Sequence, residues 1–173
     1  MEKGMIIVNT GNGKGKTTSA FGQALRVSGH GGRVCIIQFI KGKWQTGEVK
    51  AMEVLSKNIE VHVCGTGFTW EADDQDVVAE AGRKGWQLAR EKICSGKYRL
   101  VILDEITYLL NYGVIPEDEL LRVLQERPAG VDVLLTGRGA GRAIIEAADL
   151  VTEMREIKHP YSTGVAARKG VEF

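Results

Sequence analysis

A chain of 173 residues is long enough to bury a core as one domain. Lys and Arg number 23 against 22 Asp and Glu, a formal net charge of +1, so no global cationic field argues for nucleic acid. The three cysteines, Cys35, Cys64 and Cys94, have no CxxC or other metal spacing and are expected as buried reduced thiols; no segment has the apolar length of a signal peptide or a membrane span, so a soluble, cytoplasmic protein is expected.

Met5-Ile6-Ile7-Val8 is an apolar run of strand length, followed by Thr10-Gly11-Asn12-Gly13-Lys14-Gly15-Lys16-Thr17-Thr18 and a helical pattern to about His30. Strand, glycine-rich turn and helix in that order make a phosphate cradle. The glycines let backbone N–H groups converge on an anion, and the helix adds its positive N-terminal end. Lys16 can reach the phosphates as a point charge, and the Thr17 hydroxyl can ligate a Mg²⁺ ion bound to them. The strict P-loop pattern has Gly where this chain has Thr10, with Gly11 and Gly13 beside it. A nucleoside triphosphate site is expected.

Gly29-His30-Gly31-Gly32 stops the helix. Val34 to Phe39 is a compact apolar run that reads as a strand buried on both faces, ending in the basic loop Ile40-Lys41-Gly42-Lys43-Trp44. A short helix is expected over Glu48 to Leu55, and the alternation of Ile59 to Val63 reads as a third strand with His62 on its solvent side. Gly65-Thr66-Gly67-Phe68-Thr69-Trp70 precedes the acidic run Glu71 to Asp76, whose carboxylates suit the start of a helix continuing to about Cys94. Leu100-Val101-Ile102-Leu103 ends in Asp104-Glu105, acid at a strand's C-terminal edge where a P-loop site holds its metal. Pro116 suits the first turn of a helix ending near Arg127-Pro128. Val131 to Leu135 is a further strand leading to Thr136-Gly137-Arg138-Gly139, and a helix over Arg142 to Ala148 and a strand near Leu150 to Met154 complete the alternation.

Strands alternating with helices imply a mostly parallel sheet covered on both faces, with ligands bound at the loops that leave the strands' C-terminal ends. Phosphoryl transfer and hydrolysis are the usual outcomes for such a site. Glu105 could orient water for hydrolysis, whereas a kinase lid finds only Arg138 and Arg142. Neither outcome explains Phe68 and Trp70, which by composition alone would tuck into the core.

The loop Gly11 to Thr18 with Ala20-Phe21-Gly22 resembles the ATP:corrinoid adenosyltransferase family of the CobA/BtuR type. So do Gln38-Phe39-Ile40-Lys41-Gly42, Gly67-Phe68-Thr69-Trp70, Leu103 to Tyr108, Thr136 to Gly139 and the tail from Lys158-His159-Pro160 to Lys169-Gly170-Val171. The resemblance spans essentially the whole chain and implies a RecA-like P-loop α/β fold. It implies transfer of the 5′-deoxyadenosyl group of ATP to the Co(I) of a corrinoid, with release of triphosphate, in adenosylcobalamin synthesis or salvage. The substrates are then ATP and the corrinoid, with Mg²⁺ and without a protein-bound prosthetic group. By the same resemblance Thr17 and Glu105 would hold the metal, and Lys16 with Gly11, Asn12, Gly13, Lys14, Gly15, Thr18, Arg26 and Arg138 the nucleotide. Phe68 and Trp70 would lie under the corrin and displace the axial base, which favours reduction of Co(II). A reduced flavoprotein donor and a homodimer are implied, and no nucleic acid or membrane. Longer members carry an N-terminal extension that helps cover the site, a role that a partner subunit would fill here. A small-molecule kinase and a RecA-like nucleic-acid module are the alternatives on the same fold. For the latter, Lys41-Gly42-Lys43-Trp44 is the only candidate surface.

Overall fold

The computed structural model describes residues 3–42, 47–55, 57–65, 67 and 75–171. Six strands form one sheet: β1 (Ile6–Thr10), β2 (Val34–Gln38), β3 (Ile59–Val63), β4 (Leu100–Asp104), β5 (Asp132–Thr136) and β6 (Leu150–Glu153). Their spatial order is β3-β2-β4-β5-β1-β6, and every neighbouring pair is parallel. Parallel pairing requires crossovers, and helices supply them: α1 (Lys16–Gly29), α2 (Gly47–Leu55), α3 (Gln75–Cys94), α4 (Ile106–Asn111), α5 (Glu117–Glu126) and α6 (Arg142–Ala147).

Alternate residues of the central strands feed two cores. Ile6, Val8, Cys35, Ile37, Val101, Leu103, Val133 and Leu135 face Trp86, Ala89 and Ile93 of α3 and Leu120 and Leu124 of α5. Val34, Ile36, Leu100, Ile102 and Leu134 face Ala20, Phe21 and Ala24 of α1 and Val49 and Met52 of α2. Each fully buried aliphatic side chain contributes about 1.5–3 kcal/mol. The near-continuous apolar runs of β2 and β4 thus reflect burial on both faces.

Two elements differ from the sequence expectation. Glu105 turns into the left-handed region, with φ 65°, and starts the six-residue α4, which no periodicity marks in so short an apolar run. Pro116 stands just before α5 in extended conformation rather than inside its first turn. The expected burial of all three thiols holds for Cys35 alone. Cys64 is half-buried, and Cys94, at the end of α3 beyond Ile93, is exposed. Among the described residues no helix is long and apolar enough to cross a membrane.

The sheet order places β5 between the glycine-loop strand β1 and the acidic strand β4. Register aligns Gln38 with Asp104 and Asn9 with Thr136, so these polar residues end neighbouring strands at one rim.

Candidate functional site

The turn between β1 and α1 packs its backbone closely against the chain that follows β6. Gly15 precedes α1 at φ 111°, a conformation that disfavours a side chain. A Cβ on Gly13 would sit 2.7 Å from the carbonyl carbon of Arg155 and from the Met154 oxygen. The Gly13 N–H donates to that Met154 oxygen at 2.7 Å, so the chain after β6 braces the loop from behind. Lys16 donates through Nζ to the carbonyls of Gly11 and Gly13, both at 2.7 Å, closing the loop on itself.

Asp104 forms a hub beneath this turn. It is fully buried, and three donors converge on its carboxyl: Thr17 Oγ1 at 2.9 Å and Thr136 Oγ1 at 2.8 Å on Oδ1, and Gln38 Nε2 at 2.9 Å on Oδ2. Such saturation is what makes a buried carboxyl tolerable. Since Thr17 gives its proton to Asp104, its oxygen keeps lone pairs for a cation. With the Glu105 carboxyl on the same cavity wall, this is an all-oxygen donor set suited to a hard divalent ion.

Burial, and then the neighbouring Arg138 charge, lower the pKa of Lys16, while Glu105 and Asp104 oppose the shift. Burial and the adjacent Asp104 push Glu105 up to about 7, against the pull of Lys41, Lys16 and Arg138. Burial and Glu105 raise the Tyr108 phenol. Lys16 and Glu105 thus carry shifted acidities on one cavity wall beside Arg138, the kind of cluster that marks a functional site.

These groups line a cavity of about 690 Å³, large enough for a nucleotide and part of a second ligand. Of the residues expected at the site, Asn12, Gly13, Lys14, Gly15, Lys16, Thr17, Thr18, Glu105 and Arg138 line it, and Gly11 shapes it through its carbonyl. Arg26 does not. It is exposed near the end of α1, ten residues or about 15 Å of helix from Lys16. Arg142 is also absent from the wall, its guanidinium engaged with Glu146 at 2.7 Å. Phe68 and Trp70 lie outside the described residues. The root of their loop is placed, with the Gly67 N–H donating to the Ile40 carbonyl at 3.2 Å beside the cavity.

Sequence reasoning passed over Tyr108, Glu48, His159 and Val171 as wall residues. His159 accepts the Tyr161 N–H on Nδ1, and with Val171 it brings the C-terminal segment onto the cavity. Nothing short of the fold could connect that segment to the P-loop.

His62 also departs from its expected solvent-side place. Its ring contacts Glu60 on the face of β3 that covers Cys35, and the three potential ligand atoms lie within 4.8 Å of one another. The Lys92 ammonium and the Tyr98 hydroxyl also bind Glu60. Burial opposes its ionisation, but Lys92, Tyr98 and His62 together hold its pKa down at about 2. The cation position in this cluster is therefore taken by Lys92.

A family model described as ATP:corrinoid adenosyltransferase BtuR/CobO/CobP matches residues 2–173. The corrinoid adenosyltransferase of Escherichia coli K12 is 44% identical over 172 residues, covering 99% of this chain and 87% of that protein. Corrinoid adenosyltransferase CobA of Salmonella typhimurium is 42% identical over the same shares of each chain. The Sinorhizobium corrinoid adenosyltransferase is 45% identical, over 99% and 81%. Among solved structures, the flagellar accessory protein FlaH of Methanocaldococcus jannaschii superposes with a TM-score of 0.58 at 14% identity, over 88% of this chain and 72% of that one. That likeness concerns the fold alone, and the fold is RecA-like.

Proposed function

The chain belongs to the ATP:corrinoid adenosyltransferase family, and from that membership we propose that it transfers the 5′-deoxyadenosyl group of ATP to the Co(I) of a corrinoid. In this reaction the Co(I) electron pair forms the cobalt–carbon bond, the bond from C5′ to the triphosphate oxygen breaks, and triphosphate leaves. The nucleophile carries no proton, so no general base is required. The leaving group is a polyanion, so catalysis rests on alignment and on positive charge placed where negative charge develops.

The observation that carries this reading is the convergence of Lys16, Thr17, Arg138 and Glu105 on one cavity at the glycine-rich turn, in a chain matched along its length by the family. Lys16 and Arg138 neutralise the departing triphosphate, and backbone N–H groups of the turn hold its oxygens. Lys14 and Thr18, exposed on the cavity wall, take its outer oxygens, and Asn12 orients the nucleotide. Thr17 and Glu105 hold a Mg²⁺ ion, with Asp104 fixing the Thr17 hydroxyl. When bound, that ion offsets triphosphate charge. Phe68 and Trp70, beyond the Gly67 root, form the apolar face beneath the corrin and keep the axial base away. The reductant for Co(II) is a reduced flavoprotein, and the enzyme works in the cytoplasm as a homodimer.

The test is an anaerobic incubation with ATP, Mg²⁺ and chemically reduced cob(I)alamin, followed by the corrinoid spectrum. A light-sensitive adenosylated corrinoid should form with the native chain and not with Lys16→Ala. Absence of a cobalt–carbon bond with the native chain would overturn the proposal.

A further inference from the structure

We propose that the Thr136 hydroxyl is the positioning group that sets Asp104 and Glu105 for a magnesium–triphosphate complex, with the Gln38 amide as its second support. The inference rests on the nucleotide reading above and extends it to residues that do not line the cavity.

One oxygen serves both acids. Thr136 Oγ1 donates to Asp104 Oδ1 at 2.8 Å and accepts the Glu105 N–H at 2.8 Å. Thr136 and Asp104 are fully buried and Gln38 is 1% exposed, so solvent does not replace a missing bond. The Asp104 oxygen that Thr136 binds is the one that receives the Thr17 hydroxyl, and Gln38 fixes the other. Without the Thr136 donor, Asp104 can rotate and Thr17 loses its direction. Without the Thr136 acceptor, Glu105 loses the bond that holds its backbone at φ 65°, a conformation that carries a cost of its own for a non-glycine residue. The placement of β5 between β1 and β4 makes both contacts possible from one side chain.

Thr136→Val keeps the shape and removes both contacts, whereas Thr136→Ser keeps the hydroxyl. ATP binding is measured calorimetrically with excess Mg²⁺ and again in EDTA, without corrinoid. Groups that orient metal ligands are worth about 10–100-fold in metal affinity. Thr136→Val should therefore lose that factor from the Mg²⁺-dependent part of binding. Thr136→Ser should recover to within about threefold of the native protein, and binding in EDTA should change by less than about threefold in either variant. Undiminished Mg²⁺-dependent binding in Thr136→Val would overturn the proposal, as would equal losses with and without Mg²⁺, which signal a merely structural role. If Thr136→Val does not fold, Gln38→Leu carries the same test with an expected loss of about three- to tenfold. A native chain that binds no Mg²⁺·ATP would sink both this inference and the nucleotide reading. One that binds Mg²⁺·ATP but does not adenosylate cob(I)alamin would sink only the reaction, leaving the Thr136 comparison decisive for the inference.

Discussion

Replacing Glu105 by glutamine should stabilise the free protein at neutral and alkaline pH while weakening its hold on Mg²⁺·ATP. Burial and the neighbouring Asp104 raise the Glu105 pKa from 4.5 to about 7. A raised carboxyl favours the folded state while it is protonated, and below pH 4.5 folded and unfolded chains both carry the proton. Between pH 4.5 and 7 the unfolded chain ionises first, so stability falls as pH rises, and above 7 the full penalty remains. At about 1.4 kcal/mol per pH unit, the ceiling is about 3–4 kcal/mol. The side chain keeps some solvent, which brings the expected gain to about 1–3 kcal/mol at pH 8 and less than about 1 kcal/mol at pH 5. Glutamine preserves size and backbone conformation but carries no charge to bury. Urea unfolding of both proteins at the two pH values, without nucleotide or Mg²⁺, reads the difference directly. A variant no more stable than the native protein at pH 8, or one whose gain is the same at both pH values, would refute the reasoning.

The loop itself is sensitive to a single methyl group. Gly13→Ala meets backbone atoms of Met154 and Arg155 at 2.7 Å, so it should cost about 1–3 kcal/mol in urea unfolding and lower ATP affinity in a parallel titration. Away from the site, Glu60 is held near 2 chiefly by Lys92 and Tyr98 against the opposing effect of burial. Its contribution is present above pH 4.5 and lost as pH falls toward 2. Lys92→Ala should cost less than about 1 kcal/mol at pH 7, because the pair is part-exposed, and should flatten acid unfolding over that window. Trp70→Ala should spare adenosylation of prereduced Co(I) more than turnover starting from Co(II); equal losses would argue against a role for Trp70 beneath the corrin.

The P-loop and the acidic strand end were legible because each is a local pattern. Glycines beside Lys16 and Thr17, or an apolar run ending in Asp104-Glu105, carry their geometry in consecutive residues. The strands were legible for a similar reason, since burial on both faces leaves a compact apolar run in β2 and β4. Strand order is a different kind of information. Asp104 and Glu105 were both visible as acids, but that Thr17 bonds Asp104, and that Thr136 spans both acids, depends on β5 inserting between β1 and β4. Arg26 illustrates the converse. Its resemblance to a nucleotide-binding position does not bring it to the cavity, because ten residues of helix carry it away from Lys16. His159 and Val171 reach the cavity from the far end of the chain, by a path no local spacing encodes.

The most direct test is the identity of the phosphate product in an anaerobic reaction with ATP, Mg²⁺ and cob(I)alamin. Attack at C5′ predicts one intact triphosphate for each cobalt–carbon bond formed. ADP or free phosphate, with no cobalt–carbon bond, would contradict the account and return the site to ordinary phosphoryl transfer or hydrolysis.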